Sequence, residues 1–377
     1  MTNKDSRMLI TNRNEEIKEK KRRVIEFLER NELDALLMNR RENFAWFTCG
    51  GDNHVLSASE FGVASLLVTA KEKYVLTSNI ETQRILDEEL TGQDFEMIRF
   101  PWYESEGLRK KIMKIGSGMR IGSDILLPDA DFVGEKLREL RCSLTAEEID
   151  RYRWLGKKTG ECLSEIGRQI QTGDTEHEIA AKLANELMRF GISPLVILIA
   201  TDQRIFKYRH PIPTDRKLER YAMLVVNAGK WGLVASLTRL VHFEKVPPMI
   251  QKKMKAVAEV DACFIQETRP GNKFSDILAK GVQTYQKVGF GEEWKLHHQG
   301  GPTGYRPREY LVTPHTTGVV LDNQAVAWNP SITGTKLEDT IITTEKGPEV
   351  LTVTPKWPTL TVEYKGTKIP RPDILIR

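Results

Sequence analysis

Two stretches of the C-terminal half place polar side chains at matching positions: VVNAGKWGLVASLTR (225–239) and AWNPSITGTKLEDT (327–340). In each, an Asn closes an apolar run and a second polar residue follows nine positions later, pairing Asn227 with Ser236 and Asn329 with Glu338. Duplicated strand segments that aim four polar side chains at one centre would build a site between two halves of a domain. Three histidines could serve it. His210 lies in an extended, proline-flanked loop, RHPIP, and histidine is the usual carrier of protons near neutral pH. His297 and His298 precede the glycine-rich turn GGPTG on an expected inner strand, where alternation sends one into the cleft and the other away. They lack the i, i+4 spacing of a helical metal pair. Glu338, if buried, needs a cation, a proton or several donors, and a guanidinium, amidinium or amine on a substrate would supply it. Asn227, Ser236 and Asn329 both donate and accept, which suits a small polar ligand. Arg306 and Arg308 in GYRPRE, and Arg239, could grip a carboxylate with two parallel hydrogen bonds, although Arg239 fits a structural ion pair equally well. No GxSxG, SxxK or HExxH pattern offers another nucleophile or metal site.

The elements that must position these residues read as two domains, at 1–142 and 143–377. The first alternates helix and strand: a helix to Arg30, a strand at 35–38, a hairpin from GVASLLVT and KYVLTS, and a helix at 80–90. A strand at 96–100, a helix at 108–115, a strand at 119–122 and a helix at 130–140 follow. Thr145 and Glu148 form a capping box that opens a long helix to about Ile170 and the second domain. There, QTGDTEHEIAAKLANELMRFG is echoed by RPGNKFSDILAKGVQTYQKVG: Gly173, Ile179 and Gly191 match Gly271, Ile277 and Gly289 at a constant offset of 98. Each copy reads as a loop glycine, an amphipathic helix and a glycine that stops it. The fold class is therefore α/β (α+β), with a pseudo-twofold second domain.

Bulk composition narrows the function classes. The chain has 377 residues, 40% of them apolar, and 56 basic against 52 acidic side chains give a net charge of +4. No patterned basic face suggests a nucleic-acid partner. The basic run at 18–23 reads as the solvated side of a helix. The four cysteines lack CxxC spacing, which argues for free thiols. No apolar stretch has the length of a signal peptide or a membrane span, so the expectation is a cytoplasmic protein without membrane partners.

From residue 144 to about 354 the chain resembles the pita-bread family of creatinase, Xaa-Pro aminopeptidase and prolidase, with a creatinase-type α/β domain before it. The resemblance rests on Thr175-Glu176, Arg209-His210-Pro211-x-Pro213, GLVASLTR, HHQGGPTGY and KLEDTIITTEKGPEVLT. Peptidases of the family hold two metal ions with two Asp, one His and two Glu. By resemblance those positions are Asn227, Ser236, Gly301, Asn329 and Glu338 here, so only Glu338 keeps its type. The expectation is no metal and no other cofactor.

The leading reading is a metal-independent, creatinase-like hydrolase of a C–N bond in a small amidino, guanidino or amide compound. His210, Glu338 and His298 would be catalytic, and Asn227, Ser236, Asn329, His297, Arg308 and Arg239 would bind substrate. Alternatives are a non-catalytic pita-bread binding protein and an Xaa-Pro peptidase with an atypical site. The resemblance also implies a homodimer, in which 44–54 could form a lid or could be core of the first domain.

Overall fold

The computed structural model describes residues 13–377; the first twelve residues, part of the stretch read for a signal peptide, lie outside it. The chain divides into two compact units: one reaches Arg141 and includes Thr145–Glu148, the other comprises Cys142–Leu144 and Ile149–Arg377.

In the first unit, the helix Arg13–Arg30 buries Ile17, Val24, Phe27 and Leu28, one apolar stripe at helical spacing. Its sheet runs β4-β3-β2-β1-β5-β6, from strands β1 (Ala35–Arg40), β2 (Phe61–Thr69), β3 (Lys73–Ser78), β4 (Glu96–Phe100), β5 (Ile121–Ser123) and β6 (Asp131–Phe132). β1 is central and parallel to β5, and its ALLM run is apolar on both faces for that reason. Two expectations change, and one open alternative is narrowed. Residues 130–140 are not one helix: Asp131–Phe132 pair with Gly122–Ser123 as an edge strand, Gly134 interrupts the run, and only Arg138–Arg141 is helical. Lys20 does not sit on a solvated face but is fully buried, with its ammonium 2.7 Å from Glu16 and 2.9 Å from Glu148. Phe44, Trp46 and Phe47 lie on the helix Arg41–Phe47 and are buried within this unit, so they are core rather than an aromatic lid.

The second unit carries the repeat. The helices Glu176–Met188 and Phe274–Lys287 are each preceded by a glycine at positive φ (Gly173 +97°, Gly271 +86°) and followed by another (Gly191, Gly289). A Cβ at Gly173 or Gly271 would meet nothing within 4 Å, so backbone conformation rather than space accounts for both loop glycines. One sheet has the order β18-β9-β8-β7, built from β7 (Ser193–Thr201), β8 (Tyr221–Lys230), β9 (Leu233–His242) and β18 (Leu375–Ile376). The other has the order β10-β11-β14-β15, from β10 (Gly300–Pro302), β11 (Ala325–Trp328), β14 (Asp339–Thr344) and β15 (Gly347–Val350). Two short ribbons pair β12 (Ser331–Ile332) with β13 (Thr335–Lys336) and β16 (Thr359–Tyr364) with β17 (Thr367–Pro372).

The two sheets meet through the echoed segments. Thr238 N–H donates to the Glu338 carbonyl at 3.1 Å, and Thr340 Oγ1 accepts from Ser236 N–H at 2.7 Å. Behind them the helix Pro248–Glu267 packs Phe264 flat against Trp328, with ring centroids 4.6 Å apart. Burying two such rings contributes roughly 2–3 kcal/mol each and holds the seam from behind.

Candidate functional site

Strand alternation decides which side chains share the cleft. On β9, Ser236 and Thr238 point one way and Leu237 and Arg239 the other, and Asn227 on β8 pairs with Ser236 in register. Glu338 follows the same rule at the mouth of β14. Its Oε2 accepts from Thr238 Oγ1 at 2.9 Å, while Asp339 turns to the far face and meets Arg239 at 2.7 Å.

Glu338 is almost fully buried, and two cations hold it. Arg308 Nη2 lies 2.9 Å from Oε1, and Lys336 Nζ lies 3.0 Å from Oε2. Burial alone would raise the carboxyl's pKa, but Lys336 and Arg308 outweigh it and hold the group at about 2. Lys336 was not singled out from the sequence. It stands two residues before Glu338, and that period-2 spacing puts both on one side of an extended chain. With two cations on one carboxylate, this floor carries a net charge of +1.

Three imidazoles gather beside it. His210 Nε2 is 3.1 Å from His297 Nε2, and the His298 ring lies 4.5 Å from His297 and 5.8 Å from His210, centroid to centroid. Both His297 and His298 thus face the cleft, contrary to the alternation expected of them. They precede the strand, in irregular chain between the short helix Glu293–Leu296 and β10, so the rule does not apply. Burial and the nearby Lys336 push His297 down to about 2; burial and Arg308 push His298 down to about 4. His210 is lowered as well, by burial and then by Lys336, and it is the one of the three classed as exposed. All three are therefore mostly neutral at pH 7.

The other expected residues divide. Arg308 reaches Ser236 Oγ at 3.4 Å, and buried Asn329 has a side-chain Oδ1 with no partner. Asn227 is half-buried beside them. Arg239 does not join the site: its guanidinium is spent on Asp339, Thr354 Oγ1 and the carbonyls of Thr238, Glu338 and Thr352. Arg371 bridges Asp339 to Asp261 and completes that network. The cationic substrate group expected at Glu338 has no free carboxylate to meet, because the protein supplies both cations itself.

Two carboxylates, buried Glu176 and partly buried Glu293, position the histidines. Glu176 accepts from Thr201 N–H (2.8 Å) and Thr214 N–H (2.9 Å) and also pairs with Arg204, so it fixes both ends of the segment that carries His210. Arg209, next to His210, lies 2.6 Å from Glu293, which starts the helix leading to His297. Glu293 also accepts from Thr333 N–H and Oγ1, each at 2.9 Å. Neither clamp announced itself in the sequence, since each joins residues far apart in the chain.

A pair of divalent ions does not fit this donor set. The positions that resemblance assigns to ligands offer two amides, a hydroxyl, a glycine and one carboxylate already carrying two cations. At Gly301 even a Cβ would come within 2.5 Å of the Tyr310 carbonyl oxygen, so no side chain can stand there without backbone movement. Amides and hydroxyls are poor ligands for transition metals, and the +1 floor adds repulsion. His210, His297 and His298 bring ring nitrogens within 4.8 Å of one another, the spacing of a single-ion site. However, Nδ1 of both His297 and His298 lacks the hydrogen-bond partner that orients a metal-bound histidine, and Lys336 stands nearby.

Among known proteins, the profile of metallopeptidase family M24 matches residues 150–345, more than half of the chain. An uncharacterised peptidase of Staphylococcus haemolyticus is 26% identical over 232 residues, 58% of this chain and 65% of that protein's length. Among solved structures, an Xaa-Pro dipeptidase from Bacillus anthracis superposes with a TM-score of 0.75 at 18% identity, covering 96% of this chain and 100% of that one. The prolidase of Pyrococcus horikoshii gives 0.74 at 20% identity, covering 89% and 98%. These likenesses establish the pita-bread fold, and the profile match establishes the family: the chain is a member of metallopeptidase family M24.

Proposed function

We propose that this chain hydrolyses a C–N bond of a small amide, dipeptide-like and bearing a carboxylate, without the two-metal centre of the peptidases it resembles. The observation that carries the reading is the set of three neutral imidazoles beside a carboxylate already neutralised by Arg308 and Lys336. Membership in a peptidase family and the likeness to dipeptidases favour an amide over the guanidino and amidino compounds first expected. The positive floor favours the same class, since it attracts an anionic group and repels a guanidinium.

In this reading His210 is the proton carrier. Neutral at pH 7 and open to solvent, it takes a proton from a water molecule as the oxygen attacks the amide carbon. It then returns that proton to the leaving nitrogen as the C–N bond breaks. His297 and His298, held far below neutrality, stay uncharged and orient His210 and the substrate through hydrogen bonds. Asn329, Asn227 and Ser236 hold the polar body of the substrate.

The test is turnover of a panel of Xaa-Pro dipeptides, other dipeptides, small amides and guanidino acids by protein treated with a strong chelator. Hydrolysis of a carboxylate-bearing amide should survive chelation and fall at least about a hundredfold in His210→Ala, the usual range for removing a general base. Because His210 must be unprotonated, the rate should climb with pH through a midpoint below the ordinary 6.5. Loss of turnover on chelation, restored by added metal, would remove this reading, as would unchanged turnover in His210→Ala.

A further inference from the structure

The most unusual feature of the cleft is a buried ammonium with donors to spare. Lys336 is 4% exposed, and its ammonium stands 3.0 Å from Glu338, a contact that engages one of its three N–H groups. Arg308 is similar. Nη2 meets Glu338, Nη1 meets Ser236 and the Pro307 carbonyl, and Nε is buried without a partner. A buried donor such as Arg308 Nε is costly when unmet, the more so on a charged group. The floor also has an unbalanced charge of +1. Both deficits are met by one kind of group, an oxygen carrying negative charge.

We infer that Lys336 and Arg308 form an oxyanion site in place of the two metal ions of the related peptidases, with Glu338 fixing the geometry rather than binding the ligand. Glu338 draws the two cations together at 2.9 and 3.0 Å and cancels half of their charge, leaving their remaining donors directed elsewhere. The occupant is either the carboxylate of the ligand or the oxyanion that develops on an attacked amide carbonyl. Both present the same chemistry, and a fixed side-chain cation stabilises either one in a dry cleft. The inference rests on the cleft being the ligand site, as proposed above, but it requires no turnover.

The experiment is calorimetric titration of the full chain with three probes: glycyl-proline, its C-terminal amide, and the phosphinic isostere that mimics the tetrahedral oxyanion. Proteins are the wild type, Lys336→Met, Lys336→Arg and Glu338→Gln. At least one anionic probe should bind the wild type, weaken about tenfold or more in Lys336→Met and be largely retained in Lys336→Arg, in line with the value of a charged hydrogen bond. In Glu338→Gln the same probe should bind tighter, because the floor rises from +1 to +2. A preference for the free acid over the amide identifies the ligand carboxylate as occupant, and a preference for the phosphinate over the dipeptide identifies the developing oxyanion. Either supports the inference. Absence of anion binding at millimolar concentration overturns it, as do equal affinity in Lys336→Met, loss of binding in Glu338→Gln, or stoichiometric manganese, cobalt or zinc in protein purified without chelator. If Lys336→Met does not fold, Lys336→Arg and the sign of the Glu338→Gln effect decide. Anion binding without hydrolysis of any substrate would reject the proposed reaction and leave the oxyanion site standing.

Discussion

Glu338 and Asp339 are neighbours in sequence, both buried and each held by two cations, yet they belong to different kinds of structure. Asp339 pairs with Arg239 at 2.7 Å and with Arg371, and Arg371 also meets Asp261 at 2.6 Å. That network has two positive and two negative groups, and Arg239 adds hydrogen bonds to Thr354 and to backbone carbonyls until its donors are used. Glu338 is flanked by as many cations, but among the described residues no second carboxylate pairs with Lys336 or Arg308, and several polar atoms around it are unpartnered. Apart from one unpartnered oxygen, Asp261 Oδ1, the Asp339 network is closed and balanced in charge, which is what a core needs. An open network with surplus charge makes sense when something else completes it.

The largest expected effect would test the closed side. Asp339→Asn strands two buried guanidinium groups beside a neutral amide and should cost about 3–5 kcal/mol, the usual penalty for removing one partner of a buried ion pair. Urea unfolding measures it, and no anionic ligand should restore the loss. A change under about 1 kcal/mol would show that the network is not the closed unit described.

Glu338→Gln should cost somewhat less, about 2–3 kcal/mol, because Arg308 retains Ser236 and the Pro307 carbonyl. Here the loss should be recoverable: an anion that binds only the folded protein stabilises it by mass action. A rise in Tm with glycyl-proline or its phosphinic isostere in Glu338→Gln, absent in Asp339→Asn, is the expected signature. Equal responses in the two variants would erase the distinction between the neighbouring carboxylates.

Much of this division was legible in the sequence. The two echoed segments, their constant glycine offset and strand alternation together place Asn227, Ser236 and Glu338 on one face, and those cues are local. Lys336 obeys the same two-residue rule, which sets its cation beside Glu338. The histidine cluster was not legible: His210 and His297 lie 87 positions apart and meet only because Glu176 and the Arg209–Glu293 pair fix their segments. His297 and His298 misled for a different reason. Their place just before the glycine-rich turn read as an inner strand, while the strand begins at Gly300. Arg239 was ambiguous because its role depends on which face of β9 it occupies and on Asp339, Thr352 and Thr354, about a hundred residues away.

A pH titration probes the open side from another direction. His297 and His298 are held at about 2 and about 4, well below the ordinary 6.5, so the unfolded chain binds more protons than the folded one between these limits. Their contribution to stability is therefore full above pH 6.5 and is lost as pH falls through 6.5 toward 4 and below. The slope is at most about 1.4 kcal/mol per pH unit for each group. Urea midpoints measured from pH 7.5 to 5 should fall on the acid side, and His297→Asn should flatten that fall. A bound anion should also flatten it, by offsetting the Lys336 and Arg308 charges that disfavour protonation. Acid sensitivity unchanged in His297→Asn would mean that the cluster is not the source.

The smallest effect concerns the Arg209–Glu293 clamp, which differs from both carboxylate networks in being only partly buried and in joining two segments rather than two sheets. Arg209→Met should cost only about 1 kcal/mol, since partly exposed ion pairs contribute little. Its consequence should instead appear at the histidines. Arg209 adjoins His210, and Glu293 leads into His297, so loss of the 2.6 Å contact should loosen the 3.1 Å approach of the two imidazoles. Long-range proton–nitrogen NMR spectra of the ring nitrogens should then show His210 titrating closer to the ordinary 6.5. The reversed pair, Arg209→Glu with Glu293→Arg, should restore the wild-type titration in part. If His210 titrates identically in wild type and Arg209→Met, the clamp holds chain segments together but does not set the imidazole contact, and the open network owes its geometry to Glu176 alone.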